Sequence, residues 1–183
     1  MPSCANSSRL LDNKTLEGQK TASSVVQNQP FTYINYAEIL KKYVDSEGKV
    51  NYKTLKENRQ KLDQFNQSLG IVNLQTYESW SNKKKIAFLI NAYNSLTLAS
   101  IIDHYPTESI RDIPGVWKGR KFTVVGQEMT LDDIEHQILR KQFDEPRIHL
   151  GLVCASIGCP QLINEPYTEE ALDRQLDQQT RLF

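Results

Sequence analysis

This 183-residue chain has no uninterrupted apolar run approaching the roughly 18 residues that a membrane-spanning helix needs. Its most apolar stretch, residues 86–102, is broken by Asn91, Asn94, Ser95, Thr97 and Ser100, and it reads as a buried helix. The chain also has no excess of either charge: 22 basic and 22 acidic residues cancel. That excludes a broad electrostatic footprint for nucleic acid. The short basic clusters, Lys83 to Lys85 and residues 118–121, read as a solvated helix start and a solvated hairpin. There is no glycine-rich phosphate loop and no dinucleotide fingerprint, which argues against nucleotide chemistry. Ser156 lacks the flanking glycines of a nucleophile elbow, so a serine hydrolase has little support. Duplicated Cys-x-x-Cys pairs, the strong signature of structural zinc, are missing too. His136 and His149 with Cys154 and Cys159 are the only set left to suggest a metal, and neither a metal nor a cofactor is expected.

Three cysteines leave one over if Cys154 bonds Cys159. The odd one, Cys4, lies in a polar segment rich in Ser, Asn and Gln that runs from residue 1 to about residue 30 and reads as a flexible tail. No apolar signal region precedes it, so the default compartment is the cytoplasm. Cys4-Ala-Asn-Ser-Ser is nonetheless similar to the start of a mature lipoprotein, which leaves export or lipid anchoring through Cys4 open.

Residues 31–183 suit one domain with a sizeable core. Helical spacing of Tyr36, Ile39, Leu40, Tyr43 and Val44 predicts a first helix over 31–44. A second is expected over 54–69, ended by Gly70. Ser81 is a good N-cap for a long helix that runs to about His104, ahead of Pro106. That helix is apolar almost all round and should be central. Residues 121–125 and 128–129 flank Gly126-Gln127 and predict a hairpin. Thr130-Leu-Asp-Asp133 reads as a capping motif for a helix through residue 139 or 140. Residues 148–154 read as a strand interior to a sheet, and Thr168 as the N-cap of a last helix facing inward through Leu172 and Leu176. The fold class expected is α+β: a small sheet packed against a buried central helix and several surrounding helices.

The chemistry-bearing residues concentrate in Arg147-Ile-His-Leu-Gly-Leu-Val-Cys-Ala-Ser-Ile-Gly-Cys-Pro160. Thiols and imidazoles are the side chains most readily tuned to react near neutral pH. On a straight strand Cys154 points away from His149, so Cys159 is the better nucleophile. Pro160 suits the first position of a helical turn, whose backbone N–H groups would favour a Cys159 thiolate. The alternatives are an inert buried cysteine or a Cys154–Cys159 bridge. Asp132 and His136 are four apart and can pair on one helix face. Glu135 and His136 are adjacent, and on an α-helix they diverge by about 100°. Asn91, Asn94 and Ser95 form a polar stripe on the central helix. They brace neighbouring backbone, or else line a pocket with Asn91 orienting an imidazole.

Several ordered motifs share one resemblance. Ala87-Phe88-Leu89-Ile90-Asn91-Ala92-Tyr93-Asn94, then Trp117 with Phe122, Gly126 and Leu131-Asp-Asp-Ile-Glu-His-Gln-Ile-Leu-Arg140, then Pro146-Arg147-Ile-His149 with Cys154-Ala-Ser156 and Cys159-Pro160, resemble the family called domain of unknown function 547. The resemblance runs from about Tyr36 to the end of the chain. It implies an α+β domain without settled activity. Some members are fused to glutaredoxin-like modules, which implies thiol or glutathione chemistry. It marks Asn91, Tyr93, Asn94, Glu135, His136, Arg140, His149, Cys154, Ser156, Cys159 and Pro160. Family domains usually continue past the point matching Phe183, so strands are expected to be missing around His149.

The functional expectation is a thiol-centred site. Cys159 is its nucleophile or redox thiol, His149 the base, Asn91 an orienting amide, and His136 and Glu135 the pocket walls. The reaction is a hydrolysis or an acyl or thiol transfer on a peptide-like or glutathione-like substrate. The alternatives are a non-catalytic module that binds a protein or peptide, and a redox-sensing disulfide. No nucleic-acid partner and no membrane span are expected.

Overall fold

The computed structural model describes residues 30–155 and 158–183. The expected tail lies outside them except for Pro30, and so does Ser156. The architecture is α+β. Helices α1 (Ile34–Tyr43), α2 (Tyr52–Glu57), α3 (Gln60–Ile71) and α4 (Leu74–Glu78) precede the long α5 (Asn82–His104). A two-stranded antiparallel hairpin follows, β1 (Phe122–Val124) and β2 (Gln127–Met129). Next come a π-helical segment, Asp133–Leu139, that continues into α6 (Arg140–Gln142), a single helical turn α7 (Ile148–Gly151), and α8 (Leu172–Leu182).

α5 organises the rest. The Ser81 hydroxyl accepts from the Lys84 N–H and caps its first turn. Every residue from Ile86 to Ile102 is buried. By length and mean hydropathy (23 residues, 1.3) α5 meets the test for a membrane-crossing helix, but 94% of that window is covered by the protein itself. A helix with apolar residues on all sides needs neighbours on all sides. α2 supplies Leu55, α3 supplies Leu62, Phe65 and Leu69, and the π-helical segment supplies Ile134 and Leu139, each at most 1% exposed.

The hairpin is tied to α3. Its two-residue turn is Val125-Gly126, one residue earlier than the expected Gly126-Gln127, and has positive φ at both positions (53° and 67°), as a type I′ turn requires. Valine is a poor fit there. It is held by its N–H donating to the Leu69 carbonyl at 2.9 Å and by burial of its side chain. Gly70 does not end α3, which runs on to Ile71. Its lack of a Cβ lets Thr123 of β1 come close, since a Cβ there would meet the Thr123 carbonyl oxygen at 3.1 Å.

Other readings of the sequence are corrected as well. The helix expected over 54–69 is two helices, broken at Asn58 and Arg59. There the Asn58 side chain donates to the Thr54 carbonyl, and Arg59 bridges Asp63 and Asp103. α4 was not foreseen. Most important, residues 148–154 are not a strand. Residues 148–151 form a helical turn, fixed by Ile148 N–H to Glu145 O and Leu150 N–H to Arg147 O, and an extended piece follows. No sheet surrounds His149 among the described residues. A short run that is apolar on both faces suits a buried turn as well as a buried strand.

Candidate functional site

The asparagine stripe on α5 carries the frame of the site. Asn94 Nδ2 donates to the Gly151 carbonyl at 2.9 Å, and its Oδ1 accepts from Val153 N–H, also at 2.9 Å. One turn earlier, Asn91 Nδ2 donates to the Tyr167 carbonyl at 2.7 Å and its Oδ1 accepts from the Tyr167 N–H at 2.9 Å. Each amide does for an extended segment what a neighbouring strand would do, because a carboxamide carries the same donor and acceptor as a peptide group. That is why the chain can leave α7 at Leu152 as an interior, extended piece without a sheet. Gly151 is needed for the fit: a Cβ there would meet Ile90 Cδ1 at 3.2 Å and the Tyr167 hydroxyl at 3.3 Å.

Tyr93, between the two asparagines, belongs to a different environment. Burial, and the Glu135 carboxylate beside it, hold its phenol well above the usual tyrosine range, so it stays protonated. Trp117 also interacts with it. Glu135 lies on the π-helical segment. The start of that segment is fixed by a reciprocal cap: Asp133 N–H donates to the Thr130 hydroxyl at 3.1 Å, and Thr130 N–H donates to the Asp133 carboxylate at 2.9 Å. The Thr130 N–H and hydroxyl, both donating to it, hold the Asp133 carboxyl below the ordinary aspartate range.

Wide π turns recur at functional sites, and this one overturns the expected divergence of Glu135 and His136. The two line one cleft, with His136 Nε2 4.0 Å from Glu135 Oε1 and 3.8 Å from Asp132 Oδ1. Arg140 is 3.3 Å from His136 Nδ1. A guanidinium only donates, so Nδ1 carries the lone pair and the neutral ring keeps its proton on Nε2, facing Asp132. Across the cleft, α7 presents His149 with Nδ1 3.9 Å from Glu135 Oε1. Its side chain is 60% exposed, which leaves Nε2 open to a ligand.

The third wall is a disulfide, Cys154–Cys159, with Cα atoms 6.0 Å apart. Cys154, Gly158 and Cys159 border the same cleft of about 350 Å³ as Tyr93, Trp117, Asp132, Glu135, His136 and His149. Arg111, from the turn before the hairpin, lines it as well and has no ion pair among the described residues. The far side of the bridge is anchored by α8. Gln179 Nε2 donates to the Gln161 carbonyl at 2.6 Å, and Gln175 Nε2 to the Pro166 carbonyl at 2.9 Å.

Four of the five residues singled out from the sequence therefore meet: Glu135, His136, His149 and Cys159. The fifth, Asn91, has both ends of its amide engaged by Tyr167, so it braces backbone and does not orient an imidazole. Two geometric expectations also change. Cys154 faces the same cleft as His149, because α7 is helical and ends the strand alternation. No helix begins at Pro160, so no helix N-terminus supports Cys159; residues 160–163 run extended toward α8. Sequence reasoning missed the part played by Tyr93 and by Arg111. Tyr93 lies inside the family motif and was marked without a role, whereas nothing in the sequence around Arg111 signals a site. Thr168, expected to cap α8, accepts from Ala171 N–H just before the helix begins. Among the described residues, no group of three or more His, Cys, Asp or Glu side chains is placed to hold a metal ion.

No curated protein and no solved structure matches this chain. A family model does, described as Protein of unknown function, DUF547. Its match over residues 77–183 takes in α5, the hairpin, the π-helical segment, α7, the disulfide and α8, and the chain belongs to that family.

Proposed function

We propose that the domain carries out thiol–disulfide exchange on peptide-like thiols, of which glutathione is a small example. One observation carries this reading: the Cys154–Cys159 bridge borders the same cleft as His149, His136 and Glu135. An incoming thiol gives its proton to His149 Nε2. The resulting thiolate attacks one bridge sulfur, the S–S bond breaks, and the other sulfur leaves as a thiolate beside the new imidazolium. A second substrate thiol then attacks the mixed disulfide. The substrate departs as a disulfide and the protein is left as a dithiol, so two substrate thiols deliver two electrons to one bridge. Glu135 steadies the imidazolium, as carboxylates do for catalytic histidines. Neutral Tyr93 keeps that carboxylate in place, and Arg111 supplies a cation for a substrate carboxylate.

The test is the rate at which glutathione reduces the oxidised protein, read by acid quench and mass. Reduction at least about tenfold faster than that of a small linear disulfide is expected, with His149→Ala and Glu135→Gln each slowing it about tenfold or more. A rate equal to the reference disulfide, or variants without effect, overturns the reading.

The turn of His149 Nδ1 toward Glu135 favours a second reading once the bridge is reduced. Thiol, imidazole and carboxylate then stand in the order of a thiol acyltransferase, with Cys159 as nucleophile. Alkylation of the reduced protein by iodoacetamide tests it. A Cys159 that reacts with the pH midpoint of an ordinary thiol, near 8.5, removes that reading.

A further inference from the structure

The bridge borders two cavities. After α7 the chain runs on without helix from Leu152 and turns at Ala155, whose φ is +52°, so successive side chains go to different sides. Leu152 and Cys154 face the polar cleft, while Val153 and Ala155 face a second pocket of about 430 Å³. Cys159 and Pro160 line both. The second pocket is walled by Val50, Tyr52, Leu98 and Leu162. Two of its polar side chains, Asn94 and Thr97, are engaged with the protein's own backbone. Asn94 holds Gly151 and Val153, and the Thr97 hydroxyl donates to the Tyr93 carbonyl. Its one charged residue, Lys49, is paired with Glu47. Apart from the Tyr52 and Gln161 side chains, what remains to greet a ligand is hydrocarbon, in a volume typical of small-molecule sites.

Resting on the exchange reading, we propose that this pocket is a specificity subsite: it receives an apolar side chain flanking the reacting cysteine of a peptide thiol. A group seated there lies against Cys159, the one sulfur-bearing residue common to both cavities. The peptide thiolate therefore attacks the Cys159 sulfur, forming the mixed disulfide on that residue and releasing Cys154 as the thiolate. A second peptide thiol then takes the first away as a peptide disulfide and leaves the protein dithiol. With mostly apolar walls, the pocket reads size and apolarity rather than sequence. It therefore separates peptides such as leucyl-cysteine from glycyl-cysteine, and both from a thiol without side chains.

The experiment is single-turnover reduction of the oxidised full chain by N-acetylated, C-amidated Leu-Cys, Gly-Cys and Asp-Cys, with dithiothreitol as the thiol that needs no subsite. Leu-Cys is expected to react roughly tenfold or more faster than Gly-Cys, with Asp-Cys slowest. Val50→Asp should abolish the Leu-Cys advantage and leave the dithiothreitol rate unchanged. Tyr52→Ser, a milder opening of the same rim, should reduce that advantage in part. Equal rates for the three peptides, all still faster than a linear disulfide and dependent on His149, overturn the subsite alone. Dithiothreitol and peptide rates no faster than that of a linear disulfide overturn the exchange reading and the subsite with it.

Discussion

Two polar clusters flank the same three residues of α5, and they are built differently. Asn91 and Asn94 are 1% and 2% exposed, and the four hydrogen bonds they make to Tyr167, Gly151 and Val153 measure 2.7 to 2.9 Å. Asp132, Glu135, His136 and His149, which Tyr93 faces from between those asparagines, stand 3.8 to 4.0 Å apart around an open cleft. In the first cluster each amide nitrogen and each amide oxygen is engaged by the protein's own backbone. In the second, titratable groups are near enough to influence one another and too far apart to satisfy one another. A closed cluster fixes backbone, and a loose one keeps hydrogen-bonding capacity for something that arrives later. The same short motif feeds both.

The largest effect should come from opening the closed cluster. Asn94→Ala strands the Gly151 carbonyl and the Val153 N–H in the interior, at about 1–3 kcal/mol for each group left unpaired. Asn91→Ala does the same to both backbone groups of Tyr167. Asn94→Asp keeps an acceptor for Val153 but has no donor for Gly151, so it should fall between Asn94→Ala and the parent. Urea unfolding with an unchanged slope would show these losses as lowered midpoints. A loss within about 0.5 kcal/mol for Asn94→Ala would mean the brace is ornamental and the contrast with the loose cluster false.

A smaller effect is expected from the bridge that separates the two cavities. Cys154 and Cys159 are only five positions apart, and a loop so short restricts the unfolded chain modestly. Loop-closure entropy gives roughly 2 kcal/mol. Cys154→Ser with Cys159→Ser, or reduction of the parent, should cost that much stability and no more, read as a lowered thermal midpoint. A much larger loss would show that the bridge is part of the frame, like Asn91 and Asn94, rather than part of the reactive cleft. That outcome would favour a structural disulfide over an exchanging one.

Much of the fold could be read in the sequence because local rules and tertiary packing agree there. Ser81 caps α5, Tyr105-Pro106 ends it, Gly126 turns the hairpin, and Thr130 with Asp133 opens the π-helical segment, all through contacts within four residues. The errors fall where distant groups decide. Residues 148–154 read as an interior strand because they are apolar on both faces, but their backbone partner is a side chain 57 residues earlier in the chain, Asn94. No periodicity can reveal that an asparagine stands in for a strand. The cleft residues His149, His136, Glu135 and Cys159 were legible from residue type and from the family motifs. Asn91 was misassigned for the converse reason: an amide next to candidate catalytic residues looks the same in sequence whether it holds an imidazole or a peptide. Arg111 and the apolar pocket behind Val153 arise wholly from tertiary packing and leave no local trace.

The smallest effect tests a third kind of polar contact, intermediate between the two clusters. Arg147 gathers Glu145 at 2.6 Å, Asp177 at 2.6 Å and Asp173 at 3.1 Å, and so ties the turn before α7 to α8. Hydrogen bonding to Arg147 holds the Glu145 carboxyl below the ordinary glutamate range despite partial burial. A carboxyl whose pKa is lower folded than unfolded stabilises the fold fully above its unfolded value, near 4.3, and that stability is lost as pH falls through the folded pKa. The parent should therefore melt at progressively lower temperature below about pH 4. Glu145→Gln should show a shallower decline, and at neutral pH it should lose less than about 1 kcal/mol, since this network is partly open to solvent. If Glu145→Gln keeps the full acid slope, the loss lies with other carboxylates. Asp103, which burial alone would raise but which Arg120 and Arg59 hold below the usual range, is the next to replace. Either result separates contacts that are tight because they carry the fold from contacts that are tight only because opposite charges on a surface find each other.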